Sequence, residues 1–212
     1  MLIAVTGASG RTGSHVVTGL LQAGHTVRAV VRSEQKGAPL RTRGAEVTLA
    51  DLTIDDSATW LAGTDALIHT AAASDPSPGA ADAVDRDATV ALVAAAQRSG
   101  VQRVVQVSSM YADRPEAGPT FLHDVLRAKA VSDAALADSG LVWTIVRPGG
   151  LVDDDPTGKI EAGRRLDSGR ISRADLAAVC IACLDEPATE RFAFDVTSGV
   201  RNVPQALAEL PG

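Results

Sequence analysis

The chain has 212 residues, 45% of them hydrophobic and 22% charged, a balance that excludes a disordered or low-complexity protein and suits one substantial core. Its formal net charge of -6 speaks against a nucleic-acid backbone as the main partner, while a small anion held by local cations remains possible.

Met1-Leu2-Ile3-Ala4-Val5 carries no basic leader and meets glycine too early for a secretory signal. The longest apolar run, 176–184, is far short of the ~20 residues that a membrane span needs. The expectation is therefore a soluble, cytoplasmic chain with no membrane partner.

Leu2–Thr6 reads as a buried strand and is followed directly by Thr6-Gly7-Ala8-Ser9-Gly10-Arg11-Thr12-Gly13, which opens a helix over 12–23. Sited between strand and helix, this glycine pattern predicts a dinucleotide fingerprint. Glycines permit the tight turn and a close backbone approach to a pyrophosphate, and the helix N-terminus offers free N–H groups and a positive dipole end. Gly13 lets the helix lie close to the sheet. The bland alternative is a glycine-rich turn without a ligand.

The second strand, Thr26–Val31, ends in Val30-Val31-Arg32-Ser33. An NAD site usually has an acid here for the ribose 2′-hydroxyl. Arg32 suits a 2′-phosphate instead, with Arg11 as a helper. NADP is thus the expected cofactor, with NAD possible. Against this, Glu34 stands near enough to pair with Arg32 as an ordinary surface charge.

Asp51-Leu52 follows the third strand, Glu46–Leu49, where an adenine ring would rest; Asp51 is equally suited to a turn or an N-cap. Thr70-Ala71-Ala72-Ala73 follows the fourth, Ala66–His69, with small side chains that leave passage for ribose and phosphates. Helices are predicted over 80–99 and 120–139, flanking a fifth strand at Arg103–Val107 and preceding a sixth at 142–146. Gly24, Gly100 and Gly140 stand where left-handed C-caps belong.

After Arg147-Pro148-Gly149-Gly150 the rhythm loosens through a polar stretch at 153–169, then a helix at 173–184 and a strand at 192–196. Asp153-Asp154-Asp155 reads as a charged loop rather than a metal site. Cys180 and Cys183 have C-x-x-C spacing, but no second pair completes a metal site. A shared buried helix face explains them as well as a redox pair does. No metal is expected. The fold expected is α/β, a Rossmann-type doubly wound parallel sheet with helices on both faces, forming one domain over 1–212 with 150–212 as a small substrate-side lobe.

Taken together, T-G-x-x-G-x-x-G at 6–13, Val30-Val31-Arg32, Asp51-Leu52, Val107-Ser108-Ser109, Arg127-Ala128-Lys129 and Thr144-Ile145-Val146-Arg147-Pro148-Gly149 resemble the atypical short-chain dehydrogenase/reductases. Within them the chain is similar to the NmrA-like and biliverdin reductase B-like (flavin reductase-like) group. The resemblance implies a serine after the fifth strand, at Ser108 or Ser109, and a lysine, Lys129, whose ammonium holds the nicotinamide ribose. It also implies that Pro148 and Gly149 line the nicotinamide. The motif's tyrosine is missing, because Val125 stands four residues before Lys129. The chain's one tyrosine, Tyr111, lies outside the motif and is the candidate relocated acid; His123 is a further candidate.

Three functions follow from the resemblance. The first is hydride transfer from NADPH to a small acceptor such as a flavin or quinone, which needs no tyrosine. The second is a non-catalytic NmrA-like sensor of NAD(P)H that binds a protein partner. Sugar-nucleotide epimerase chemistry comes third, because it relies on the tyrosine that Val125 replaces. A small-molecule substrate and a monomer or homodimer are expected.

Overall fold

In the computed structural model, which describes residues 1–74 and 77–211, strands and helices alternate from the first residues. Strand β1 (Leu2–Thr6) leads into α1 (Arg11–Gln22), β2 (Thr26–Val31) into α2 (Glu34–Thr42), and β3 (Glu46–Leu49) into the single turn α3 (Ala58–Leu61). β4 (Ala66–His69) precedes a π-helical stretch, Asp82–Ala88, that continues as α4 (Thr89–Arg98). β5 (Arg103–Val107), α5 (His123–Ala137) and β6 (Val142–Pro148) come next. The last third holds β7 (Gly150–Val152), β8 (Lys159–Gly163), β9 (Arg170–Ser172), α6 (Arg173–Ala182), β10 (Phe192–Ser198), β11 (Arg201–Asn202) and α7 (Val203–Ala208).

Among the described residues, nine strands form one sheet in the order β11-β8-β10-β6-β5-β4-β1-β2-β3. From β3 to β10 every neighbour is parallel. β8 runs antiparallel to β10, and β11 antiparallel to β8. β7 and β9 make a separate parallel pair. This is the Rossmann-like arrangement expected, and its chain order reverses between β1 and β4. A crevice opens at such a reversal, beyond the C-terminal strand ends.

Alternate strand residues serve opposite faces. Ile3, Val5, Val27, Ala29, Val105 and Val146 pack with Val16, Val17 and Leu20 of α1 and with Leu176 and Val179 of α6. Ala4, Val30, Leu67, Val104 and Ile145 pack instead with Trp60, Leu61, Leu92 and Leu136. Each such leucine or isoleucine contributes about 1.5–3 kcal/mol by leaving water.

The departures from expectation have local causes. α2 lies in a stretch with no apolar period and carries Pro39; Gly37 lets it approach the sheet, since a Cβ there would stand 2.5 Å from Val47. The helix expected over 80–99 starts π-wound, where Thr89 Oγ1 donates to the Val84 carbonyl at 2.9 Å. The one expected over 120–139 begins with a tight 3₁₀ turn at Thr120–Leu122. β6 runs on to Pro148. The polar stretch 153–169 holds β8, whose Ile160 alone turns fully inward.

Both cysteines are free and fully buried on and just after α6. Burial pushes the Cys183 thiol up to about 12 and raises that of Cys180 well above its usual range. They are core residues, as the shared-face reading had it.

Candidate functional site

The loop after β1 is shaped by glycines that nothing larger can replace. Gly7 adopts φ +68°, and a Cβ on it would lie 2.7 Å from the Ala71 nitrogen. A Cβ on Gly13 would lie 2.2 Å from the Gly7 carbonyl oxygen and 2.8 Å from Thr70 Oγ1. The Gly10 N–H donates to the Gly7 carbonyl at 2.8 Å. Thr70 ties the end of β4 to that of β1 by donating its hydroxyl to the Thr6 carbonyl at 2.8 Å. No side chain caps α1, so its first N–H groups face outward past Ser9, Gly10, Arg11 and Thr12. The cradle fits a pyrophosphate. Ala72, exposed, continues its rim.

At the end of β2, Arg32 is exposed and makes no hydrogen bond or ion pair among the described residues. Glu34, its expected rival partner, pairs with Arg41. Ser33 stands at the N-terminus of α2 with its hydroxyl uncommitted to the cap. A free guanidinium, a hydroxyl and a helix N-terminus are suited to a phosphate. Arg11 is less free, since it pairs with Asp153 at 2.9 Å, and Asp153 also takes Arg173 at 2.7 Å.

Asp51 takes the turn role that was one of its two expected characters. Its Oδ1 accepts from the Thr53 N–H at 2.9 Å and hydroxyl at 2.7 Å, forming a turn. Those bonds, with help from Arg32, hold its carboxyl below the usual range. Leu52 is half-buried beside it.

Lys129 is not a surface lysine. It is 9% exposed, with Nζ 2.9 Å from Asp85 Oδ1 and 3.5 Å from the Val107 carbonyl. An ammonium has three donors, so one remains for a ligand. Asp85 comes from the π-helical stretch, and its Oδ2 accepts from the Ala73 N–H at 3.0 Å. It therefore anchors Lys129 and the loop after β4 at once.

His69 lies beneath this pair. Thr89 Oγ1 donates to the Val84 carbonyl, so it accepts from His69 Nε2 at 3.1 Å, and His69 Nδ1 accepts from Thr6 Oγ1 at 2.7 Å. Burial first, then the charge of Lys129, lowers its pKa to about 4. Folding thus disfavours protonated His69. Its contribution is present above about pH 6.5 and is lost as pH falls toward about 4, a difference of about 3 kcal/mol. His69→Gln should flatten the stability profile between those values; denaturant titrations with the same slope as the native protein would contradict this.

Ser108 donates to Asp133 Oδ2 at 2.9 Å. Asp133 also accepts from Gln106 at 2.9 Å and from Arg147 at 3.0 Å. Burial pushes its carboxyl up, against the pull of Arg147. Ser108 is committed inward. Ser109 makes only a 3.2 Å bond to the Met110 carbonyl and is free to turn.

Tyr111 holds φ +71° and donates its hydroxyl to the Asp167 carbonyl, with Arg114 4.9 Å over its ring. His123 opens α5 with Nε2 3.1 Å from the Gly118 carbonyl. Neither is presented as a loose acid. Val125 is half-buried on α5. Pro148 accepts from the Met110 N–H at 2.9 Å, and Gly149 sits 2.4 Å, at an added Cβ, from the Gly169 carbonyl.

Sequence reasoning missed Asp85, His69 and Asp133. Asp133 was accessible, since it stands four residues after Lys129 on the same helix face. Asp85 was not, because only the π-winding turns it inward. Among the described residues, no group of three His, Cys, Asp or Glu side chains could hold a metal, and no helix is long and apolar enough to cross a membrane.

Residues 7–187 match a family described as NAD(P)H-binding. A Bacillus subtilis (strain 168) protein called "Uncharacterized sugar epimerase YhfK" is 38% identical, covering 99% of this chain and all of its own. A solved Bacillus halodurans structure, provisionally named an NAD-dependent epimerase/dehydratase, superposes with a TM-score of 0.92 at 31% identity, covering 99% of this chain and all of that one. The NAD(P)H azoreductase of Xenophilus azovorans is 29% identical over 98% of this chain and 70% of its own.

Proposed function

Because the chain belongs to the NAD(P)H-binding family, we propose that it is an NADPH-dependent reductase passing hydride to a small conjugated acceptor, a flavin or a quinone. The observation that carries the choice of cofactor is Arg32, exposed at the end of β2 and without an ion-pair partner among the described residues, while Glu34 is taken by Arg41. The glycine cradle and the open first turn of α1 receive the pyrophosphate, Arg32 and Ser33 the 2′-phosphate, Asp51 and Leu52 the adenine, and the third donor of Lys129 the nicotinamide ribose.

When bound, the reduced nicotinamide supplies hydride, two electrons with one proton, to the acceptor. The residues around it favour an acceptor that needs little acid help. Val125 cannot donate, the Tyr111 hydroxyl is held by the Asp167 carbonyl, and Lys129 is tied to Asp85. Ser109 supplies a hydrogen bond to an acceptor oxygen, and water supplies the proton. Epimerase chemistry, suggested by the names of the two Bacillus relatives, needs a proton-transferring group at the sugar carbon. The likeness to an azoreductase supports the reductase reading.

Steady-state turnover tests it. NADPH should be oxidised with menadione or FMN, and simple ketones reduced slower by about 100-fold or more, the least that general acid catalysis commonly provides. Tyr111→Phe should leave the quinone rate unchanged. Brisk ketone reduction that collapses in Tyr111→Phe would identify a relocated acid and overturn the proposal. Tight NADPH binding with no turnover of either acceptor class would make the protein a sensor instead.

A further inference from the structure

Away from the cradle, a cavity of about 570 Å³ opens between β6, the start of β10 and the turn after β8. That volume is in the range of small-molecule sites. Its lining shares no residue with the glycine loop, Arg32 or Lys129. Four arginines, Arg147, Arg164, Arg165 and Arg191, face it with a single carboxylate, Asp113. In a chain of net charge -6, this concentration of positive charge is local and specific.

Asp113 cannot neutralise the group. It already takes Arg114 at 2.8 Å and Arg165 at 3.2 Å, with Arg147 at 3.8 Å. Arg147 spends its own hydrogen bonds on Asp133. Arg164 and Arg191 have no hydrogen-bond or ion-pair partner for their guanidinium groups among the described residues. Arg164 lies over the Phe192 ring with Cζ 5.0 Å from its centroid, a contact that leaves its N–H donors available.

Arg191 is held in a left-handed conformation, φ +52°, by its N–H bond to the Trp143 carbonyl at 2.6 Å. A non-glycine residue in that region is strained, and here the strain sets an unpaired cation at the cavity. Trp143 itself forms an apolar wall. The space continues into a recess of about 330 Å³ floored by Ala130, Ala134 and Ala137 of α5, which leave it wide for a flat body; the second carboxylate there, Asp133, is already paired with Arg147 at 3.0 Å.

We propose that this cavity is a second ligand site, separate from the cofactor site, for a small planar organic anion of the aromatic carboxylate class. The carboxylate pairs with Arg164 and Arg191 through charge-assisted bonds, and the ring lies against Trp143 over the alanine floor. The site does not depend on the cofactor's identity or on catalysis.

Calorimetric titration of the full chain with 2-naphthoate, with and without saturating NADPH, tests this directly. One saturable event of equal affinity in both conditions is expected. The double variant Arg164→Gln/Arg191→Gln, whose side chains are exposed and outside the core, should weaken it at least tenfold, and Trp143→Leu at least threefold. The uncharged 2-naphthamide should bind at least tenfold more weakly, and inorganic phosphate alone likewise. The proposal fails if no saturable binding is seen, if the arginine double variant binds as the native chain does, or if NADPH displaces the probe. It fails equally if the amide or phosphate matches 2-naphthoate.

Discussion

Gly13→Ala should abolish useful NADPH binding, with a loss on the order of 100-fold, the effect of misplacing a binding group by about an ångström. The added methyl group would sit 2.2 Å from the Gly7 carbonyl oxygen and 2.8 Å from Thr70 Oγ1. The first is backbone just after β1, and the second is the hydroxyl just after β4 that is held by its bond to the Thr6 carbonyl. α1 must therefore move off the loop, at a cost of about 1–3 kcal/mol in stability, and its first N–H groups leave the pyrophosphate. Gly24→Ala is the control. Gly24, unlike Gly13, has positive φ, +81°, and nothing lies within 4 Å of its added Cβ. That variant should lose about 1–2 kcal/mol from the strained backbone and bind NADPH as before. Equal affinity in Gly13→Ala and the native chain, measured by fluorescence titration, would contradict the role given to the cradle.

Asp85→Leu should be the most destabilising of the single changes at the site, by about 3–5 kcal/mol, because it leaves the Lys129 ammonium buried without its partner. The side chains are 1% and 11% exposed and 2.9 Å apart, so water cannot take the place of the carboxylate. In a chain of this length each kcal/mol moves the melting temperature by about 2–4 °C, and a fall of about 10 °C is expected. Lys129→Met alone should also be costly, since Asp85 then loses its cation. The double variant Asp85→Leu/Lys129→Met should recover most of the stability but bind NADPH more weakly. A hydrogen bond from a charged group is worth about 1.5–3 kcal/mol, and the double variant lacks the Lys129 donor. If the double variant melts no higher than the singles, the two groups are not a coupled pair.

The parallel sheet was legible because its strands are short apolar runs, mostly buried on both faces except in the outermost β3, and β1, β2, β3, β4 and β5 fall where those runs lie. The glycine cradle was legible for a related reason. Its spacing has one steric meaning between a strand and a helix, and the contacts of Gly7 and Gly13 express it. Elements whose apolar signal is thin were not seen: α2 has a polar sequence with an internal proline, and β8 turns one large apolar residue inward.

The site divides in the same way. Arg32 and Asp51 could be placed because they follow strand ends, where topology fixes position. Lys129 could be placed by its motif, but its burial could not, because its partner Asp85 stands 44 residues away by the numbering and is turned inward by π-winding. The cavity of arginines was also out of reach. Arg147 lies in β6, Arg164 just after β8 and Arg191 just before β10, and only the pairing of those strands brings them together.

The most direct measurement of the central claim is a paired equilibrium titration of the native chain and Arg32→Asp with NADPH and NADH. The native chain should prefer NADPH by at least about 1.4 kcal/mol, a factor of ten, as a charge-assisted contact to the 2′-phosphate requires. Arg32→Asp should erase or invert that preference while leaving the fold intact, since Arg32 is exposed and makes no hydrogen bond or ion pair among the described residues. Equal affinity of the native chain for both cofactors, or a preference for NADPH that survives Arg32→Asp, would contradict it.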